Sequence, residues 1–373
     1  MRFIAAFSVF AFHAFTSPVF ASPAWNMLPV PGEYAKVFWQ GNWAGVSFFF
    51  ILSGFVLTWS ARGTDTAGAF WRRRIFKIYP NHLLTLAAAL ILFGGVMKID
   101  LDAKTVALNG LLVQAFFPQQ EIWASYNSVS WSLSHEAFFY LLFPFLLPVV
   151  MRIRPSRLWL WAGVVVGAIL VIPLVATLLP AGQWQPFTQS EPLQFWFVSK
   201  FPPVRLLEFV FGMIMARVVL SGRRVPLGLW GAAALNVVAY AVAPLFPLTY
   251  PQVAVMVLPL GLLIAAGAVA DVRSRPTWLG SRVMVWLGNI SFAFYMSHLL
   301  VLLSSQFVLG PGGWSLPVGF AVIGLLFGVT VVVSWLMYAL FEAPIMRRFA
   351  VSRRRRREPV PSAPKEARTP VAP

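Results

Sequence analysis

Long apolar runs separated by short basic segments dominate this 373-residue chain. A helix needs about 20 mostly apolar residues to cross the hydrocarbon of a bilayer. On that length the pattern predicts ten spans: residues 3–21, 44–61, 78–97, 132–150, 158–179, 203–220, 227–246, 252–270, 283–305 and 316–342. The longer connections are 22–43, 100–131 and 180–202. The predicted fold is all-α, a polytopic integral membrane protein with its membrane domain in residues 1–346. Residues 347–373, basic and rich in proline, are expected to be a disordered tail suited to an anionic lipid surface.

Charge orients the predicted bundle. With the N-terminus inside, Arg2, Arg62, Arg72–Arg74, Lys77, the arginines of 152–157, 217–224 and 273–282, and everything from Arg347 onward face the cytoplasm. That is 24 of the 29 basic residues, leaving Lys36, Lys98, Lys104, Lys200 and Arg205 outside. Such a bias calls for an even number of spans with both termini cytoplasmic. A mean hydropathy of +0.74, with 59% apolar and 11% charged residues, excludes a soluble domain. The net charge of +17 lies in loops between apolar runs, so it records topology and not a nucleic-acid-binding stripe. With no cysteine there is no disulfide framework, thiolate zinc site or cysteinyl acyl-enzyme. The four histidines are scattered without metal-ligand spacing, and no metal is expected.

Ionisable residues inside spans are costly and are functional candidates by default. The opening stretch "RFIAAFSVFAFHAFTSPVFASPAW" reads two ways. Arg2, the apolar core and "VFA" before Ser22 fit a secretory signal peptide. His13 argues for a retained helix, since a signal core gains nothing from an imidazole. Arg2 and His13 are 11 residues apart, about three turns, and share one helix face some 16 Å apart. In "FWRRRIFKIYPNH", the cations Arg72, Arg73, Arg74 and Lys77 exceed what orientation needs and suit phosphate oxygens. His82 there reads as structural. In "SYNSVSWSLSHEAFFYLLFPFL", Ser132 and Glu136 share a face within two turns of Tyr140, with Trp131 and His135 beside them. Glu136 can serve proton transfer or pair with a cation. Arg205 and Glu208, one turn apart, suit an ion pair, and His298 lies in the outer half of the ninth span. Glu342, before Pro344, is expected to be a helix-end lock neutralised by Arg347 or Arg348. Read by depth, a basic cytoplasmic mouth leads inward to an imidazole, which matches an extended coenzyme A with its phosphates at the rim.

Taken in order, "RFIAAFSVFAFH", "GVSFFFILSGFVLTW", "FWRRRIFKIYP", "VSWSLSHEAFFYLLFP", "VRLLEFVFGM", "LGNISFAFYMSH" and "FEAPIMRR" resemble the acyltransferase family 3 integral-membrane proteins over essentially the whole chain. The resemblance implies about ten membrane helices in the bacterial inner membrane. It also implies transfer of an acyl group, often acetyl, from cytoplasmic acyl-CoA to hydroxyls of surface glycans, lipid-linked sugars or secondary metabolites. It implies His13 as the essential histidine with Arg2 as partner, and a retained first helix. The family's Arg-x-x-Arg pattern stands here as Arg74-Ile-Phe-Lys77, which keeps charge and loses one bidentate fork. Where many members read "GVDLFF", this chain has Ser47 in "GVSFFF". No hydrolase-like domain follows the membrane part, so acyl delivery straight to the acceptor is expected.

The resulting expectation is acyl transfer with His13 as general base, Ser132, Trp131 or a cation as oxyanion donor and Glu136 orienting or reprotonating the histidine, with a transient acyl-enzyme on His or Ser as the variant. Arg72, Arg73, Arg74 and Lys77 would bind acyl-CoA, a donor substrate and not a resident cofactor. Trp131, Tyr140, Arg205, Glu208 and His298 would contact the acceptor. A transporter or flippase using the buried His and Glu residues as a proton relay is the alternative; its inverted repeats are not visible.

Overall fold

The computed structural model describes residues 1–16, 32–63, 65–180, 182, 191–247, 249–274, 276–310, 314 and 316–350. Among these every regular element is helical. In chain order they are α1 (Arg2–Thr16), α2 (Gly32–Trp59), α3 (Ala67–Leu90), α4 (Ala103–Gly110), α5 (Gln120–Trp123), α6 (Trp131–Met151), α7 (Leu158–Ala176) and α8 (Pro192–Ser199). They continue with α9 (Pro202–Leu220), α10 (Leu229–Val242), α11 (Thr249–Val253), α12 (Val257–Val272), α13 (Arg282–Leu309), α14 (Leu316–Met337) and α15 (Ala343–Ile345). The signal-peptide junction at Ala21–Ser22 and the tail beyond Ala350 lie outside the described residues.

Among the described residues, seven helical stretches are long and apolar enough to cross a membrane: Phe38–Trp59, Ala67–Val96, Ser128–Met151, Pro155–Ala176, Thr249–Val272, Arg282–Leu309 and Pro317–Phe349. They cover seven of the ten expected spans. The other three do not reach that length and apolarity within the described residues. Arg2–Phe15 and Leu229–Leu245 are shorter apolar helices, and α9 carries Arg205, Glu208 and Arg217 along its length. The lipid-type pattern is plain on α7, where Leu160, Val164, Val171 and Leu174 are exposed while Val165, Ile169 and Ile172 are buried.

Local chemistry sets the ends. Thr66 accepts a hydrogen bond from Ala69 N at the start of α3, and Ser281 does the same for Met284 N at the start of α13. Pro202 and Pro203 open α9, where a missing N–H costs nothing. Three helices end by widening into π-helical turns, α3 over Ile91–Val96, α14 over Tyr338–Glu342 and α15 over Met346–Ala350.

Helix packing in lipid depends on close approach at small residues. Where α2 crosses α9, a Cβ on Gly54 would lie 1.9 Å from the Phe209 carbonyl oxygen, and one on Gly212 would lie 1.9 Å from that of Ile51. Only glycine fits at both points. α1 then lies between α2 and α13. Phe3 and Phe10 pack on Phe294 and Phe327 with ring centroids 5.2–6.2 Å apart, which fixes the face that α1 turns to α13.

Candidate active site

A cleft opens between α1, α2, α3, α6 and α13. Arg2 of α1, Arg74 and Lys77 of α3, Ser132, Glu136 and Tyr140 of α6, and Tyr295 of α13 all line it. Tyr140 Oη donates to Glu136 one turn earlier at 2.6 Å and receives Ser53 Oγ at 3.3 Å. The Arg74 guanidinium sits over the rings of Phe70 and Tyr140, 5.7 and 5.8 Å from their centroids, and its Nε has no partner among the described residues. Stacking holds the fork flat while leaving hydrogen-bond donors for an incoming acceptor. The hydroxyls of Ser132 and Tyr295 meet at 2.8 Å.

His13 does not line this cleft. It faces His298 across the α1–α13 contact, His298 Nε2 to His13 Nδ1 at 3.0 Å. Tyr295 spans the gap, with its hydroxyl at Ser132 and its ring 5.8 Å from that of His298. The protons of the histidine pair follow from one neighbour. His298 Nδ1 lies 2.7 Å from the Tyr295 carbonyl oxygen, which can only accept, so Nδ1 carries the hydrogen. Neutral His298 then presents a lone pair at Nε2, and His13 Nδ1 must donate to it. His13 is left with its lone pair on Nε2, the tautomer a general base needs. His298 is fully buried, and its partnership with His13 joins positions 285 residues apart.

The remaining predicted residues lie elsewhere. Arg73 forms an ion pair with Asp65 at 2.7 Å near the surface, and neither Arg72 nor Arg73 lines the cleft. Arg205 and Glu208 form a fully buried pair at 3.0 Å. Ser47 bridges them, donating to Glu208 at 2.8 Å and accepting from Arg205 Nη2 at 3.1 Å. Arg205 also donates to the Gln252 carbonyl at 2.8 Å. This network joins α2, α9 and α11 and lies outside the cleft, which fits the ion-pair reading. The serine standing where relatives of the expected family often carry aspartate lets a single arginine balance a single glutamate. His82 is buried with Nε2 2.9 Å from the Asn109 carbonyl, a structural contact as expected.

Glu342 requires a correction: the partners the structure gives it are Lys77 and Asn81 Nδ2 of α3, the latter at 2.5 Å, not Arg347 or Arg348. The π-helical turn at the end of α14 adds a residue per turn and swings Glu342 toward α3. Lys77 thus belongs both to the cleft wall and to the α3–α14 lock. Trp131, at the first turn of α6, does not line the cleft and packs against Lys200.

Sequence reasoning passed over Tyr295, Ser53 and Asn289 as cleft residues. Tyr295 stands one turn before His298 in "YMSH", a spacing that could have flagged it.

Comparison with known proteins agrees with this architecture. A family model for the acyltransferase domain of acyltransferase family 3 matches residues 1–339. The acyltransferase MdmB of Streptomyces mycarofaciens is 37% identical, over 98% of this chain and 94% of its own. Nodulation protein 10 of Rhizobium leguminosarum bv. viciae is 25% identical over 88% of this chain and 90% of its own. The O-acetyltransferase OatA of Staphylococcus aureus is 22% identical over 83% of this chain and 53% of its own. No solved structure matches. The membrane-length helices and bacterial relatives make this a multi-pass protein of the bacterial inner membrane. The chain belongs to acyltransferase family 3 and is a membrane acyltransferase.

Proposed function

We propose that this protein moves an acyl group, acetyl in the first instance, from cytoplasmic acyl-CoA to a hydroxyl of a surface glycan, lipid-linked sugar or sugar-bearing secondary metabolite. The observation that carries the proposal is the His13–His298 pair, which leaves His13 Nε2 as a base, on the same helix as Arg2 at the mouth of a basic cleft. Relatives named as an O-acetyltransferase and an exopolysaccharide production protein support the hydroxyl acceptor and the acetyl donor.

In this reading the protein has ten spans with both termini cytoplasmic. Residues 1–346 are the catalytic membrane domain, and 347–373 are a basic cytoplasmic tail. Arg2, Arg74 and Lys77 receive the donor phosphates by charge-assisted hydrogen bonds, and the pantetheine arm carries the thioester inward. Arg72 and Arg73 add positive field at the rim. The acceptor hydroxyl gives its proton to His13 Nε2 as its oxygen attacks the thioester carbonyl. The tetrahedral oxyanion takes hydrogen bonds from Ser132 and Tyr295. Collapse breaks the C–S bond, and the leaving thiolate takes the proton back from His13. His298 holds the His13 tautomer and shares the imidazolium charge, and Glu136, anchored by Tyr140, offsets the cations of the cleft.

The test uses sealed vesicles containing the protein and radiolabelled acetyl-CoA. Label is expected to move from CoA to glycan or metabolite, at a rate abolished in His13→Ala. Accumulation of unmodified substrate inside the vesicles, with no ester formed, would instead identify a carrier.

A further inference from the structure

The cleft has a charged end and an apolar end. At the charged end the Arg74 guanidinium lies over Tyr140, Tyr140 Oη receives Ser53 Oγ, and Lys77 Nζ lies 5.4 Å from the centroid of the Phe292 ring. Tyr295 stands one turn beyond Phe292 on α13, toward His298, and Ser132 stands two turns from Tyr140 on α6. Their hydroxyls meet at 2.8 Å and mark the other end. On α2, Ser53 belongs to the charged end, while Phe49, four residues earlier, has its ring 5.8 Å from that of Tyr295. Val46 lies one turn further along the same helix face. Around the paired hydroxyls the cleft is therefore lined by Val46, Phe49, Phe50 and Leu133, whose side chains hold no polar atom.

This apolar end is rigid. In the run Phe48–Phe50, Phe48 and Phe50 are buried, whereas Phe49 is half-buried and open to the cleft. Its ring is held on two sides, edge-on to Phe48 at 6.0 Å and to Tyr295 at 5.8 Å. Phe50 stacks on His135 at 5.1 Å and meets Phe139 edge-on at 5.2 Å. Past Val46, α2 closes on α1, where a Cβ on Gly45 would stand 2.6 Å from Val9 Cγ2. Rings fixed in this way do not swing aside for a longer guest, and forcing extra methylenes against them is costly.

We propose that this end is the acyl pocket and that Phe49 sets its length, admitting acetyl and excluding butyryl. The inference rests on the acyl-transfer reading, in which the thioester carbonyl meets Ser132 and Tyr295 while the donor phosphates stay with the cations. The pantetheine sulfur then reaches the carbonyl from the charged end, past Leu52 and Phe292. The carbon chain on the far side of the carbonyl points into the wall made by Val46, Phe49 and Leu133. An apolar group seated among apolar side chains is favoured, and one methylene more or less in such a pocket is discriminated about 10–200-fold. Bond making and breaking are those of the proposed reaction. Phe49 touches the acyl chain alone and is a specificity residue.

The experiment uses membranes from a strain lacking this protein, complemented with the wild type, Phe49→Ala, Phe49→Leu, Leu52→Ala or His13→Ala. Each receives equimolar acetyl-CoA and butyryl-CoA, with an extract of the same strain as the source of acceptor. Acetyl and butyryl esters formed in one reaction are counted by mass spectrometry, so their ratio does not depend on how much protein accumulates. The wild type is expected to favour acetyl by about tenfold or more, and Phe49→Ala to lower that ratio by about tenfold or more through a gain in butyryl ester. Phe49→Leu should fall between them, and Leu52→Ala, nearer the charged end, should keep the wild-type ratio whatever its total rate. Equal use of the two donors by the wild type, or a wild-type ratio from Phe49→Ala, would overturn the proposal. So would a shift from Leu52→Ala as large as that from Phe49→Ala, which would mean a general loosening of the cleft. Should the alanine variant form neither ester, an unchanged ratio from Phe49→Leu would overturn it in the same way. Normal acylation by His13→Ala, or no ester from either donor with the wild type, would instead refute the acyl-transfer reading and this inference with it.

Discussion

Replacing His298 tests the histidine pair most finely. In the resting protein the 3.0 Å contact is a neutral hydrogen bond, of the kind worth about 1 kcal/mol net. When His13 takes the acceptor proton the same contact becomes charge-assisted, and such bonds are worth about 1.5–3 kcal/mol. Only the surplus in the charged state accelerates the reaction. His298→Leu removes that surplus and releases the His13 ring to adopt the tautomer with its lone pair on Nδ1. With every 1.36 kcal/mol worth tenfold in rate, a surplus of about 0.5–2 kcal/mol lowers kcat roughly 2–30-fold, and the lost tautomer lowers it further. His298→Gln can place its amide oxygen near the position of Nε2 and should stay within about tenfold of wild type on the same scale. The assay is acetyl transfer by membranes, normalised to protein amount, with KM for acetyl-CoA measured in parallel. A leucine variant with wild-type kcat, or one whose whole loss lies in KM for acetyl-CoA, would refute the reasoning.

Other consequences follow from particular contacts. Arg74→Ala should raise KM for acyl-CoA about tenfold or more, as loss of a charge-assisted bond predicts. Arg73→Ala, whose partner Asp65 is near the surface, should stay within about twofold; equal effects of the two in steady-state kinetics would contradict the cleft assignment. Gly54→Val should prevent accumulation, since even a Cβ meets the Phe209 carbonyl oxygen at 1.9 Å, whereas Gly163→Ala, with nothing within 4 Å, should accumulate as wild type. Immunoblots of washed membranes decide this, and equal amounts of both would show that the α2–α9 crossing is not so close. Ser47→Ala removes the bridge between Arg205 and Glu208 and should cost roughly 1–3 kcal/mol. The readout is a lower melting temperature with unchanged KM for acyl-CoA, and an unaltered melting temperature would make the bridge energetically silent.

Much of this was readable from the chain because lipid imposes simple rules. Among the described residues, length and hydropathy locate seven of the ten expected spans, and α9 misses the criterion because of its internal charges. One-turn spacing put Ser132 and Glu136 on one face, and both line the cleft. Long-range partners were not readable. Nothing local to "AFH" or "MSH" announces that His13 and His298 touch, because the contact is made by phenylalanine packing between α1 and α13. Glu342 escaped because the face it presents depends on a π-helical turn that a 3.6-residue period does not describe. Lys200 counted only as one of five basic residues outside. Its environment is assembled from four elements, and no segment of the sequence carries that signature.

The central claim is that the His13 imidazole takes the proton of the acceptor hydroxyl. The most direct measurement is the mass of surface glycans and metabolites from a strain that carries only His13→Ala, at a protein level matched to wild type. The account predicts that the acylated species falls by about 10²–10⁴-fold, the range for loss of a general base, while acetyl-CoA still stabilises the variant against heat. An acylated product at wild-type abundance would contradict it.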